Sequence, residues 1–193
     1  MELWTELKSG NKNALEQIYR EHAEVMLRYG IKICGDSTIV EDCIQNLFIT
    51  IWERRESLGD TDSIRNYLLA SLRRAIYKYG DKKSIAVDPV ELRKEDGEKE
   101  ATFEDLMIKK EMDAEQKEKF KVALAEISAR QREVIYLRYY QDKDYDEICE
   151  IMGITYQGAR NMLFKALKSL KKHLMIWIIL YMQWVTKLID WDY

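Results

Sequence analysis

Residues Tyr145 to Leu174, YDEICEIMGITYQGARNMLFKALKSLKKHL, carry the side chains with the plainest chemical purpose. From Arg160 onward every charge in that stretch is basic: Arg160, Lys165, Lys168, Lys171 and Lys172. Cations repeated along a helix suit a polyanion such as the phosphates of DNA. Ile148, Met152, Ile154, Ala159 and Leu163 supply apolar contacts that would hold a short helix and a longer one at an angle, across a tight turn at Gly153. A helix-turn-helix of this kind presents the start of its second helix to the major groove.

A second basic segment lies between Arg65 and Lys83. Arg65, Arg73, Arg74, Lys78, Lys82 and Lys83 face a single acid, Asp81, and Tyr67, Tyr77 and Tyr79 are interleaved with them. Basic side chains alternating with aromatics suit a strand whose bases are unstacked and whose phosphates need neutralising. A solvated surface face explains the same pattern. Other chemistry finds little support. Cys34, Cys43 and Cys149 show no ligand spacing, and His22 and His173 are the only histidines, so no metal or other cofactor is expected. The thiols read as buried and free in a reducing compartment. No nucleophile–base pair or Gly-rich phosphate loop appears, so no catalytic residue and no small-molecule substrate are assigned. MELWTELKSG lacks the basic start and apolar core of a signal peptide, so a cytoplasmic location is expected.

These residues must be positioned by helices. A single proline, Pro89, interrupts 193 residues rich in Leu, Ile, Lys, Glu and Arg, so an all-α chain is expected. The net charge of −3 is unusual for a protein that only grips DNA; either its DNA contacts are local or a partner supplies most of the hold. Ser9-Gly10-Asn11 opens a helix with apolar positions Leu15, Ile18, Tyr19, Val25, Met26, Tyr29 and Ile33. Cys34-Gly35-Asp36 breaks it, with Asp36 or Ser37 as the next cap. The helix from Ser37 to about Arg55 presents Val40, Cys43, Leu47, Phe48, Ile51 and Trp52 on one side, and Glu41, Asp42, Gln45, Asn46 and Thr50 on the other. A polar, Gly-containing loop, Ser57 to Ser63, precedes a helix from Ile64 to about Tyr79 with a stripe of Tyr67, Leu68, Leu72 and Ile76.

From Gly80 to about Glu118 the chain reads as an exposed acidic linker, with eleven acids against six bases between Glu91 and Glu118. Phe120 to Tyr140 follows as a helical pair. Ser128 caps its second member with Gln131 completing a capping box, and Val134, Ile135, Leu137 and Tyr139 are expected in a core shared with the helix-turn-helix. The tail, LMIWIILYMQWVTKLIDWDY, is too briefly apolar to span a bilayer. It reads either as a terminal helix folded on the protein's own core or as one that docks on a partner or across the domains.

Taken together, the segments from Ala14 to His173 resemble an extracytoplasmic-function sigma factor. Glu41-Asp42-Cys43-Ile44-Gln45-Asn46-Leu47-Phe48, then Trp52, is similar to that family's E-D-x-x-Q-E-x-F…W pattern. Ser128-Ala129-Arg130-Gln131-Arg132-Glu133-Val134-Ile135-x-Leu137-Arg138-Tyr139, then Tyr145-x-x-Ile148-x-x-x-Met152-Gly153-Ile154, is similar to L-P-x-R-Q-R-E-V-x-x-L-R-Y and Y-x-E-I-A-x-x-L-G-I. The resemblance implies two small helical domains joined by the acidic linker: residues 1–80 as sigma domain 2, 81–118 as linker, 119–173 as sigma domain 4 with the helix-turn-helix, and 174–193 as an apolar C-terminal helical extension.

It also implies the partners. Asp42, Gln45, Asn46, Phe48 and Trp52 would meet the clamp helices of core RNA polymerase, with Asn46 standing where an acid is usual. The loop Gly59 to Ser63 and the following helix would take promoter DNA at the −10 element, one base flipped into a pocket formed largely by the loop. Asp62 and Ser63 would read its edge, while Arg73, Arg74 and Lys78 hold the backbone; Arg74 replaces a frequent asparagine. In the second domain Tyr156, Gln157, Arg160, Asn161 and Lys165 would approach the −35 element, and the same domain would meet the flap tip. Gln157 and Asn161 suit adenine, Arg160 guanine or phosphate, and Lys165 phosphate. An anti-sigma factor is a further expected partner, with self-inhibition by the tail as its alternative. Against the sigma factor stands a stand-alone helix-turn-helix regulator whose N-terminal half is a sensor or dimerisation domain.

Overall fold

The computed structural model describes residues 2–83, 123–124 and 126–189, with side chains described outside 81–83 and 173–189. Among these residues the chain is helical and no strand occurs. It divides into two compact units, Met1–Asp96 with Asp146–Thr155, and Gly97–Tyr145 with Tyr156–Tyr193.

The first unit begins with a helix the sequence reading did not anticipate. Helix α1, Glu2–Lys8, buries Trp4 and Leu7, which stand one turn apart. Gly10 turns the chain at φ 92°, and Asn11 caps α2, Lys12–Cys34, its side chain accepting from the backbone N of Asn13. Ala14, Ile18, Met26, Tyr29 and Ile33 form the buried face of α2, whereas Tyr19 is exposed. Gly35 ends the helix at φ 72°, and Asp36 caps α3, Ser37–Glu53, by accepting from Ile39 N. The buried face of α3 is Val40, Cys43, Ile44, Phe48 and Ile51. It packs on α2 so closely that a Cβ at Gly30 would lie 2.3 Å from Cγ1 of Val40.

A short 3-10 turn, Arg55–Ser57, leads into the loop before α4, Ile64–Lys83. Ser63 starts that helix by accepting from Asn66 N at 3.2 Å. Leu68, Leu69, Leu72 and Ile76 are buried, so α4 completes a three-helix core with α2 and α3. Asn66 is 2% exposed, and its amide donates to Glu147 Oε1 and Glu150 Oε2, each at 3.2 Å. The remaining residues of the acidic linker beyond Lys83, together with those up to 118, lie outside the described residues.

Ser128 caps α5, Ala129–Ile135, in the capping box expected from Gln131. Val134, Ile135 and Leu137 are buried as expected, but Tyr139 is not: it is 59% exposed, and Tyr136 at 1% takes the interior position. The cause is a π turn over Tyr136–Tyr140, in which Gln141 N bonds to Tyr136 O, so the helical register slips before Tyr139. Asp142 then adopts φ 51° to leave the helix. Helix α6, Tyr145–Met152, ends at Gly153, whose φ of 64° requires the left-handed conformation. Helix α7, Tyr156–Ile189, continues without a break into the apolar C-terminal segment. Whether that segment folds on the protein's own core or docks on a partner turns on side chains that lie outside the described residues.

Candidate nucleic-acid interface

Three surfaces collect the residues singled out in the sequence. On α3, Asp42, Gln45 and Asn46 are all exposed, one turn or less apart. Asn46 donates to the carbonyl of Asp42 at 2.8 Å, which fixes its amide along the helix. Ile49, 56% exposed, extends this ridge by a turn; the sequence analysis assigns it to neither face of the helix. Phe48 is buried instead, its ring edge-on to Tyr19 at 5.0 Å between centroids. Trp52 is half-buried beneath the guanidinium of Arg55, which lies 4.7 Å from the ring centroid. The α3 ridge therefore rests on aromatic packing, with its polar groups facing outward. Beside it, Gln45, Glu41 and Ile44 line a shallow groove of about 310 Å³ shared with Tyr19 and Leu27 of α2.

A second concavity of about 440 Å³ opens between α3, α4 and the turn that joins them. Leu47, Thr50 and Ile51, which share a face of α3, supply one wall together with Arg54 just past the end of that helix. Tyr67, Ser71 and Arg74 supply the other, at i, i+4 and i+7 on α4, and Ser57, Leu58 and Gly59 close the end. Trp4 braces this end from behind. Its Nε1 donates to Gly59 O at 3.0 Å, and its ring meets Tyr67 edge-on at 5.0 Å. Lys8 also reaches Asp60, at 2.6 Å. Of the residues expected to read or hold DNA here, Arg74 lines the cleft, and its Nη2 donates to Ser71 Oγ at 2.9 Å. Arg73 lies instead over the ring of Tyr77, at 4.6 Å. Lys78 is exposed, Asp62 is exposed on the loop, and Ser63 is engaged in starting α4. Arg54, Thr50, Tyr67 and Ser71 were not foreseen as lining residues, since only the pairing of α3 with α4 brings them together.

The third surface is the first three turns of α7. Tyr156, Gln157, Arg160, Asn161 and Lys165 are all exposed, while Ala159 and Leu163 are buried on the opposite face. Gln157 Nε2 donates to Asn161 Oδ1 at 2.9 Å, which holds the two amides side by side. Tyr156 leans on Tyr145, with centroids 5.3 Å apart. Phe164, 66% exposed, and Leu167 add an apolar strip that the sequence reading passed over.

Electrostatics adds no reactive centre among the described residues. Burial pushes the thiols of Cys34 and Cys43 above the ordinary value, which keeps both protonated and weakly nucleophilic. Burial, with Arg65 assisting against Glu21, lowers the imidazole of His22.

Both halves of the chain are similar to known proteins. The Sigma-70 region 2 family model matches residues 18–84, and the Sigma-70, region 4 model matches residues 117–170. The chain is similar to the ECF RNA polymerase sigma factor SigL of Mycobacterium tuberculosis, 26% identical over 166 residues, covering 81% of this chain and 86% of that protein. Its fold is similar to CnrH, solved in complex with the cytosolic domain of CnrY (TM-score 0.59, 16% identity, 90% of this chain and 96% of that one). It is likewise similar to the sigma factor RpoE solved with the anti-sigma factor NepR from Bartonella quintana (TM-score 0.55, 20% identity, 86% and 96%).

Proposed function

The chain belongs to the sigma-70 family, as an RNA polymerase sigma factor of the extracytoplasmic-function type, and on that premise we propose how its residues divide the work of transcription initiation. Residues 1–80 hold core polymerase and the −10 element, and residues 119–173 read the −35 element. The match to region 2 accounts for the N-terminal half, so a stand-alone regulator with a sensor domain is set aside.

The observation that carries this division is the α3 ridge. Asp42, Gln45 and Asn46 face outward together, above a buried Phe48. A helical partner with basic and polar groups, such as the clamp helices, can pair with the ridge, while Phe48 and Trp52 hold its shape from within. The cleft at Gly59 takes one base extruded from the non-template strand, with Arg73 and Lys78 beside the backbone. On α7, Gln157 and Asn161 meet base edges and Lys165 meets phosphate, while the flap tip engages this same domain. The catalysis belongs to the polymerase, and the chain itself works as a non-enzymatic cytoplasmic factor. Because CnrH and RpoE were each solved with a second protein, RpoE with an anti-sigma factor, we extend an anti-sigma partner to this chain.

Affinity for core polymerase tests the reading. Asp42→Arg is expected to weaken binding by about tenfold or more, as for a charge reversed at an interface centre. Glu16→Arg, on the outer face of α2, is the comparison. Equal affinities for both variants and the parent would contradict it.

A further inference from the structure

We propose that Arg74 makes the cleft between α3 and α4 selective for a base that offers two adjacent hydrogen-bond acceptors, guanine or cytosine. This rests on the base-capture reading above and goes beyond it, since capture alone does not choose a base.

The cleft, about 440 Å³ and open to solvent on one side, has room for a single base. Its apolar wall is Leu47 and Ile51, and Tyr67 contributes an aromatic ring. These groups suit the faces of any base, so they hold without choosing. Choice must come from the polar groups. Among the described residues, the charged ones that line the cleft are Arg54 and Arg74, and none of the lining residues is a carboxylate. A guest therefore meets cationic donors without an acidic competitor within the walls.

Arg74 is the better placed reader of the two because it is anchored. Its Nη2 donates to the hydroxyl of Ser71, a residue only 8% exposed one turn earlier on α4. The anchor limits the swing of a long side chain and sets the plane of the guanidinium at the wall. Nη2 carries a second N–H, beside those of Nη1, so a two-pronged donor remains for a guest. That fork matches two acceptors side by side: O6 and N7 of guanine, or O2 and N3 of cytosine. Adenine sets its N6 amino donor beside N1 and N7, and thymine sets N3–H between O2 and O4. Each presents one prong of the fork with a donor or with nothing. Lysine at this position would supply charge without the fork. Phosphate binding by Arg74, the role expected from the sequence, would be blind to the base, and this separates the two.

The test uses the full chain assembled with core polymerase. Promoter DNA whose non-template strand is randomised through the −10 element is selected for binding by the parent, Arg74→Lys and Arg74→Ala holoenzymes. The parent is expected to enrich guanine or cytosine over adenine and thymine at one position, by on the order of tenfold. Both variants should lose that preference and keep those at the other positions. A preference retained by Arg74→Lys, or weakening by the variants that is uniform over all positions, would overturn the proposal. An abasic nucleotide placed at each position in turn examines the underlying reading separately. If no abasic position costs affinity, base capture fails and the proposal falls with it. If one does, and the Arg74 variants still discriminate there, only the role of Arg74 is overturned. Circular dichroism of the exposed-site variants checks that their helices are intact.

Discussion

The indole Nε1 of Trp4 donates a 3.0 Å hydrogen bond to the carbonyl of Gly59, tying the first helix to the turn that closes the α3–α4 cleft. Fifty-five positions separate the two residues, so this contact belongs to the tertiary fold. It makes α1 a brace for the cleft that we propose takes a promoter base, although no DNA-contacting residue is assigned to α1 itself. Trp4→Phe keeps the ring packing on Tyr67 and removes the donor. It should lower stability by about 1 kcal/mol, the usual net worth of one hydrogen bond. Promoter opening should fall further than affinity for core polymerase. Urea unfolding and a two-assay comparison of opening and core binding check both halves.

Gly30 shows why α2 and α3 can lie so close. A methyl group there would overlap Val40, so Gly30→Ala is expected to destabilise by about 1–3 kcal/mol through overpacking. Val40→Ala in the same chain removes the obstructing Cγ atoms and should recover part of the loss, leaving the double variant more stable than the sum of the singles. Thermal denaturation of the four-member cycle measures this. Strict additivity would mean that the helices separate to absorb the methyl group.

His22 predicts a pH effect with a definite sign. Its imidazole is lowered in the folded chain, chiefly by burial, so the unfolded chain binds the proton more readily. Above the ordinary value of 6.5 both states are neutral and the residue contributes no pH dependence. As pH falls through 6.5 the unfolded state is protonated first, and stability declines until the folded-state value is reached. His22→Gln should flatten this part of the profile in denaturant unfolding measured between neutral and mildly acid pH.

On α7 the side-by-side amides of Gln157 and Asn161 and the cation of Lys165 should behave differently. Asn161→Ala is expected to cost about 1–3 kcal/mol at one position of the −35 element and to relax the preference there. Lys165→Ala should weaken all sequences alike and reduce the slope of log affinity against log salt by about one. Titrations of a −35 duplex set by the holoenzyme, at several salt concentrations, distinguish the two.

Much of this was legible in the residues because local rules governed it. Asp36 before Ser37 and Ser128 before Gln131 are capping patterns whose physics involves only neighbours, and both caps form. The periodic apolar faces of α2 to α4 gave much of the core in the same way, though Tyr19 is exposed and Ile44 is buried beyond the expected face. Tyr139 was misplaced because the pattern assumes 3.6 residues per turn, and a π turn over Tyr136–Tyr140 changes the register. Helix α1 was overlooked because seven residues are too few for a periodicity to stand out; Trp4 and Leu7 alone marked it. The cleft was out of reach for a deeper reason. Thr50, Arg54, Ser71 and Arg74 become neighbours only when α3 lies against α4, and nothing in either helix alone specifies that pairing.

Run-off transcription tests the central claim most directly. Core polymerase is given the parent chain, or Asp42→Arg, and a library of promoter fragments. The parent should produce specific transcripts from fragments sharing one −10 and one −35 sequence, and Asp42→Arg should reduce them by about tenfold or more, in step with its loss of core affinity. A parent chain that binds promoter DNA but yields no transcript above core polymerase alone would contradict the account.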